Sequence, residues 1–233
     1  MNAQEEADTA LLDKALESFS ATGYRGLATH IPDLRAALDR APAIYPVIER
    51  RPDETIVRSE DMANGLMLMM LMSGLGEKEG KNTKVIQTRN VYPTIALLLT
   101  SDAVERNDHS AALNFADRGL AMQPEHEMLL LEKGAALQGL GRFEEALRLA
   151  DAALADGGGL FTDFNPAPFH RRRGFSLIEL NRLEEAKAAY LSSLETEPDN
   201  AVAKKELQYI AELMAGASKT GPVFVNPNAP KRQ

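Results

Sequence analysis

Apolar residues recur at helical spacing along most of this chain, while glycine and proline fall mainly between the periodic stretches. AQEEADTALLDKALESFSA near the start, PDLRAALDRAP after it and DETIVRSEDMANGLMLMMLM beyond that each read as a helix. KVIQTRNVYP, residues 84–93, reads as an extended connection that delivers a proline to the first helical position of the next element. No long run alternates apolar and polar at period two, which argues against a strand-built core.

From residue 93 onward the pattern repeats itself. EMLLLEKGAALQGLGRFEEALRLADAALADGG lies over APFHRRRGFSLIELNRLEEAKAAYLSSLETEP without a gap. Gly134 falls on Gly174, Leu137 on Leu177, Glu144-Glu145-Ala146 on Glu184-Glu185-Ala186, and Ala150 on Tyr190. PTIALLLTSDAVERNDHSAALNFADRGLAMQP takes the same frame, with Ala112, Ala116, Gly119 and Pro124 in place. These segments, at about 93–126, 127–160 and 167–200, resemble tetratricopeptide repeats, roughly 34-residue helix–turn–helix units. Position 8 of such a unit is small because its two helices cross there. Positions 20 and 27 are small because the next unit packs on them. Gly134/Ala146/Ala153 and Gly174/Ala186/Ser193 meet that demand, whereas Thr100 departs from it, as does the lack of an aromatic residue at position 4. Gly141 and Asn181 fall in the turn within a unit, where a positive φ is often needed. Six residues are inserted between the second and third units, within DGGGLFTDFNPAPFH.

The resemblance implies an all-α chain, a right-handed superhelix of helix–turn–helix repeats with an N-terminal helical extension. The expected organisation is a helical region at 1–90 packed on the array, a repeat domain with a closing helix at 91–215, and an extended or disordered tail at 216–233. Asp199 or Asn200 is placed to cap the closing helix, whose apolar face holds Ala203, Leu207, Ile210 and Leu213. In the family the first helix of each repeat lines a concave groove. Carried over residue by residue, that groove is formed by Leu97, Ser101 and Glu105 in repeat one, and Met128, Leu131, Ala135 and Gln138 in repeat two. Arg171, Phe175 and Glu179 follow in repeat three, with Lys205 and Tyr209 in the closing helix. Some members grip a partner's terminal carboxylate through Lys and Asn at positions 5 and 9. Those places hold Leu97/Ser101 and Leu131/Ala135, so this clamp is not supported.

Charge and composition narrow the picture. The 233-residue chain carries a formal charge of −8 with a pI near 5.1, which argues against general nucleic-acid or anionic-membrane binding. It has no cysteine, so disulfides, thiolate metal sites and cysteine nucleophiles are all excluded. Its start is acidic without a secretory pattern, and its longest apolar stretch, GLMLMMLMSGLG, is too short to span a membrane. These features point to the cytoplasm.

Chemistry-bearing motifs are few. Met62, Met67, Met69, Met70 and Met72 suit a soft-metal site, a plastic partner groove or a buried helix of flexible gap-fillers. No His or Cys accompanies them, and adjacent Met69 and Met70 point to different faces. His30, His109, His126 and His170 lack metal or catalytic spacing, and His109 holds a packing position of the frame. The KTG at 219–221 has no Ser-x-x-Lys companion, and the glycines at 157–159 lack a phosphate-loop ending. Within the frame the run His170-Arg171-Arg172-Arg173 separates: Arg171 faces the groove, Arg172 lies at its edge or in solvent, and Arg173 extends outward over its packed stem.

No catalytic, cofactor or metal constellation emerges. The resemblance implies a non-catalytic adaptor or scaffold of bacterial type. Its expected partner is a protein or peptide with apolar anchors and an acidic residue or C-terminus, and neither nucleic acid nor membrane is expected. A secretion-type chaperone, an immunity-like partner and a regulatory subunit of an enzyme are alternatives. Basic Arg171 and Lys205 are expected to approach each other at the far end of the groove.

Overall fold

Eleven helices hold most of the described residues, as a repeat chain built of helices requires, and one small sheet is added in the N-terminal region. The computed structural model describes residues 3–60, 62–78, 84–157 and 164–219. They fall into two compact units, Met1–Asp102 with Asn114–Leu129, and Ala103–Leu113 with Leu130–Gln233.

In the first unit, α1 (Ala3–Thr22), α2 (Tyr24–Leu27) and α3 (Ile31–Asp39) follow the expected helical periodicity. The next segment does not. Residues 48–50 and 54–59 form strands β1 (Ile48–Arg50) and β2 (Glu54–Ser59), and α4 (Met62–Lys78) begins only after them. β2 pairs antiparallel with β1, opposing Val57 to Ile48, and parallel with β3 (Lys84–Arg89), opposing Ile56 to Ile86. The stretch expected to be one helix is thus a strand followed by a helix, and the extended connection at 84–89 is the third strand. Thr55, Ile56, Val57 and Arg58 are all buried, and a strand covered on both faces shows no alternation to read. The two parallel strands need a long crossover, which α4 provides. Its Leu68 and Met72 pack against Val57, with Met69 and Leu75 at the margin.

The interior of this unit is unusually polar. Glu5, Asp8 and Arg58 are each at least nine-tenths buried. Asp8 accepts from Arg40 (2.8 Å) and from the Tyr92 hydroxyl (3.1 Å), and Glu5 accepts from Tyr45 at 2.7 Å. The Arg58 guanidinium lies over the Tyr45 ring, 3.9 Å from its centroid, and bonds Glu49 at 2.6 Å and the Pro46 carbonyl at 2.9 Å. Burial and the Asp8 carboxylate push the Tyr92 hydroxyl up to about 12. Asn90, just before α5 (Val91–Glu105), exchanges two side-chain hydrogen bonds with Gln123, which also donates to the Tyr45 carbonyl. α5 begins two residues earlier than the proline start expected from sequence. Pro93 still lies in the first turn, where a missing N–H costs nothing. At the seam, a Cβ on Gly119 would stand 2.5 Å from the Leu129 side chain and 2.9 Å from Ala96, so position 27 of repeat one must be glycine.

The second unit is helical among its described residues. It draws on α5, α6 (His109–Met122) and α7 (Glu127–Gly139), followed by α8 (Phe143–Asp156), α9 (Pro166–Glu179), α10 (Leu183–Thr196) and α11 (Ala201–Met214). Pairs α8/α9, α9/α10 and α10/α11 pack side by side. α11 packs on this core: its Ala203 and Ile210 join Leu177, Ile178, Ala186 and Tyr190 in one apolar cluster. Asn200 is its cap, accepting from the Ala203 N–H at 3.0 Å. The expected tail is described only as far as Lys219; residues 220–233, including Val223-Phe224-Val225, lie outside the described residues.

The two crossing glycines are not equivalent. A Cβ on Gly174 would lie 2.6 Å from the buried Tyr190 ring, whereas one on Gly134 would meet Arg172 at 3.8 Å, an ordinary contact. The difference follows from Ala150 standing where the next repeat has Tyr190. Gly174→Ala is therefore expected to destabilise by about 1–3 kcal/mol through overpacking. Gly134→Ala should be neutral or stabilising by up to about 1 kcal/mol through helix propensity. Urea titrations followed by the helical signal check both.

Candidate functional site

α9 is the central element of the candidate surface. Asn165 caps it by accepting from the Ala167 N–H at 3.0 Å, and prolines at 166 and 168 suit its first turn. The three consecutive arginines that follow leave the helix toward three different partners. Arg171 binds α10, with Nη1 2.7 Å from Glu197 and 3.1 Å from the Ser193 hydroxyl. Arg173 binds Asp151 of α8 at 2.7 Å. Arg172 turns to α7, donating to the Gln138 side-chain oxygen at 3.0 Å.

Gln138 is only 2% exposed and uses both ends of its amide. While its oxygen accepts from Arg172, its nitrogen donates to the Arg172 carbonyl at 2.8 Å and to the Ser176 hydroxyl at 3.0 Å. The pair is a two-way lock between α7 and α9. Among the described residues, Gln138 is the one hydrogen-bond partner of the Arg172 guanidinium. Burial lowers the Arg172 pKa while neighbouring Glu132 opposes that shift, and the residue as a whole is half-buried. It is a fixed cation with N–H donors to spare. Phe175, one turn along α9, is half-buried beside the Phe143 ring, with centroids 6.3 Å apart.

The turns between paired helices repeat atom for atom. Asn107, Gly141 and Asn181 are all left-handed, at φ 59°, 70° and 59°. Each donates its N–H three residues back, to Val104, Gln138 and Ile178, at 2.9–3.0 Å. The next residue of each turn donates five residues back, to Ala103, Leu137 and Leu177, at 2.8–2.9 Å. The spacing of these turns is that of the sequence frame, and the small residues of the frame are buried at its seams. The three hairpins have the helix–turn–helix arrangement of tetratricopeptide repeats. No family model and no curated protein matches the chain. Solved structures do resemble it. The first TPR of Spaghetti (RPAP3) bound to an HSP90 peptide is 24% identical over 53% of this chain and 93% of that one, with a TM-score of 0.47. The Sgt2 TPR domain from Aspergillus fumigatus is 20% identical over 59% of this chain and 91% of that one, at 0.47. TTC0263, a TPR protein of Thermus thermophilus, is 16% identical over 88% and 98%, at 0.46.

Within the second unit, these repeats place the expected groove residues unequally. Leu131 and Tyr209 are half-buried and Lys205 is exposed, so all three are accessible with Phe175. Ala135 and Gln138 are buried and serve packing, because α9 closes over that side of α7. Arg171, expected to approach Lys205, is engaged by Glu197 and Ser193. Glu179 is likewise taken: Lys219 sits 2.7 Å from its carboxylate and also donates to the carbonyls of Ile178 and Glu179 at the end of α9. Glu105 is half-buried. In the first unit Leu97 and Ser101 are half-buried and Met128 is 47% exposed. Arg172 is the residue that sequence reasoning placed at the groove edge or in solvent. Nothing in the frame marked its partner Gln138, 34 positions earlier, because the second and third units are offset by 40.

Three of the histidines make contacts within the fold. His109 lies against Gly139, where a Cβ would strike its ring; His30 bonds Ser18 at 2.9 Å, and His126 bonds Glu60 at 2.8 Å. Burial pushes the His170 pKa down. Among the described residues no cluster of His, Cys, Asp or Glu is gathered for a metal, and no described helix is long and apolar enough to cross a membrane. Glu197 is the hub behind Arg171, accepting also from the cap residues Asn165 (3.0 Å) and Asn200 (2.8 Å). The Asn165 bond leads in holding its carboxyl below the ordinary 4.5, with Arg171 and Asn200 adding to it. A depressed acid stabilises fully above its unfolded pKa, and that contribution is lost as pH falls through the folded one. Glu197→Gln is therefore expected to destabilise at neutral pH, with the gap from wild type closing below about pH 4.5 in urea titrations.

Proposed function

We propose that the chain is a non-catalytic interaction module whose tetratricopeptide unit holds an extended segment of a partner protein, one with apolar anchors and an acidic residue or C-terminus. The observation that carries this reading is the Arg172 guanidinium. Gln138 fixes it from α7 and leaves donors free. A planar fork held in place loses little entropy on binding a carboxylate and pairs with it in two-pronged fashion. Apolar anchors have Phe175, Leu131 and Tyr209 to rest on, and Lys205 adds an outer positive charge. The arginine run does not favour a nucleic-acid reading, since Arg171 and Arg173 are already neutralised by Glu197 and Asp151. A scaffold in the cytoplasm suits the acidic, cysteine-free composition.

Peptide display against the full chain, followed by fluorescence anisotropy on the selected peptides, tests the reading. Peptides with an acidic residue flanked by apolar ones are expected. Arg172→Gln should weaken them about tenfold or more, as losing a charged hydrogen-bonded pair does. Lys205→Glu should weaken them by a smaller factor. Equal affinity of the Arg172→Gln variant, or selected peptides without acidic residues, would contradict it.

A further inference from the structure

The methionine-rich helix α4 has two faces with different fates. Leu68 and Met72 are turned onto β2, and the opposite face of the helix is exposed among the described residues. Leu66 is 53% exposed, Met67 51%, Met70 71% and Leu71 39%. Ser73 and Gly74 continue the same face and are exposed as well. Helical spacing brings all six to one side. Together they leave roughly 400 Å² of apolar surface, the size at which a patch signals a partner.

The order of side chains along that face indicates what covers it. Residues equidistant from Met70 differ sharply in size: Leu66 pairs with Gly74, and Met67 with Ser73. If two copies of α4 run antiparallel about a two-fold axis at Met70, Leu66 meets Gly74, Met67 meets Ser73 and Met70 meets itself, while Leu71 lies opposite Met69 at the margin of the face. A Cβ built on Gly74 encounters nothing within 4 Å, so open space awaits the opposing leucine. The sequence from 63 to 74 holds no charged residue, so the face offers an ionic partner nothing, while antiparallel helix dipoles attract. A face complementary to itself under two-fold rotation is the requirement for an isologous dimer.

We propose that this chain forms a homodimer by antiparallel pairing of α4 with α4 of a second copy, centred on Met70. The contact covers about half the roughly 800 Å² per partner of a stable interface, so the dimer is weak, with a Kd of roughly 10–500 μM.

Sedimentation velocity on the full chain from about 5 to about 500 μM should show the monomer giving way to dimer over that range. Met70→Glu sets two charges on the axis and Gly74→Leu fills the pocket for Leu66; both should leave a monomer with its helical signal unchanged. Because the chain has no cysteine, single substitutions report proximity directly. Met70→Cys should oxidise to a disulfide-linked dimer at least about tenfold faster than Val202→Cys, a control whose native side chain is 52% exposed on α11. A monomer at the highest concentration, a dimer surviving both variants, or equal cross-linking at the two positions would overturn the proposal. So would a dimer that emerges only after residues 220–233 are removed, which would assign the face to this chain's own end.

Discussion

Each helical hairpin depends on one residue in the left-handed region. Asn107, Gly141 and Asn181 reverse the chain within a few residues, and the same pair of hydrogen bonds closes each turn. Asparagine and glycine tolerate this conformation at little cost, and most other residues do not. The reversal brings α9 against α10, which forces glycine at 174 beneath Tyr190. It also sets the last turn of α7, where the Gln138 carbonyl accepts from Gly141 while the Gln138 side chain reaches across to α9. The residue that closes one hairpin is thus the one that orients Arg172 on the next.

This arrangement separates three neighbouring arginines by consequence. Successive helical residues point about 100° apart, so a cationic run becomes three unrelated interactions. Arg171 stabilises the junction of α9, α10 and α11 through Glu197. Arg173 ties α9 to α8. Arg172 alone of the three has no carboxylate hydrogen-bonded to it among the described residues, and its position is set by a buried amide rather than by another charge. A neutral anchor leaves the guanidinium without a directly bonded carboxylate, which suits recognition of an acidic group.

The repeats were legible because their constraints are local or fall at fixed intervals: a small residue where helices cross, and a turn residue that accepts positive φ. The groove was legible only in outline. Position in the frame assigned Arg171 and Gln138 to an open surface; Glu197 near the end of α10 engages Arg171, and the α9 backbone holds Gln138 inside. Those partners lie 26 and 34 residues away. The N-terminal region was least legible. β2 is buried on both faces, so the alternation that marks a strand is absent. Its Arg58 pairs with Glu49 and Tyr45 in contacts that no spacing rule encodes. Glu5 and Asp8 share the buried face of α1 with Leu12, so charge there reports interior hydrogen bonding rather than a solvated surface.

The central claim is that Arg172, and not its neighbours, receives the partner. Side-chain arginine resonances of the full chain, followed by NMR during titration with a peptide bearing one carboxylate between apolar residues, test it most directly. The account predicts that the Arg172 Nε–H signal moves with the binding isotherm while those of Arg171 and Arg173 stay fixed. A peptide that binds yet leaves Arg172 unmoved, or shifts Arg171 instead, would contradict it.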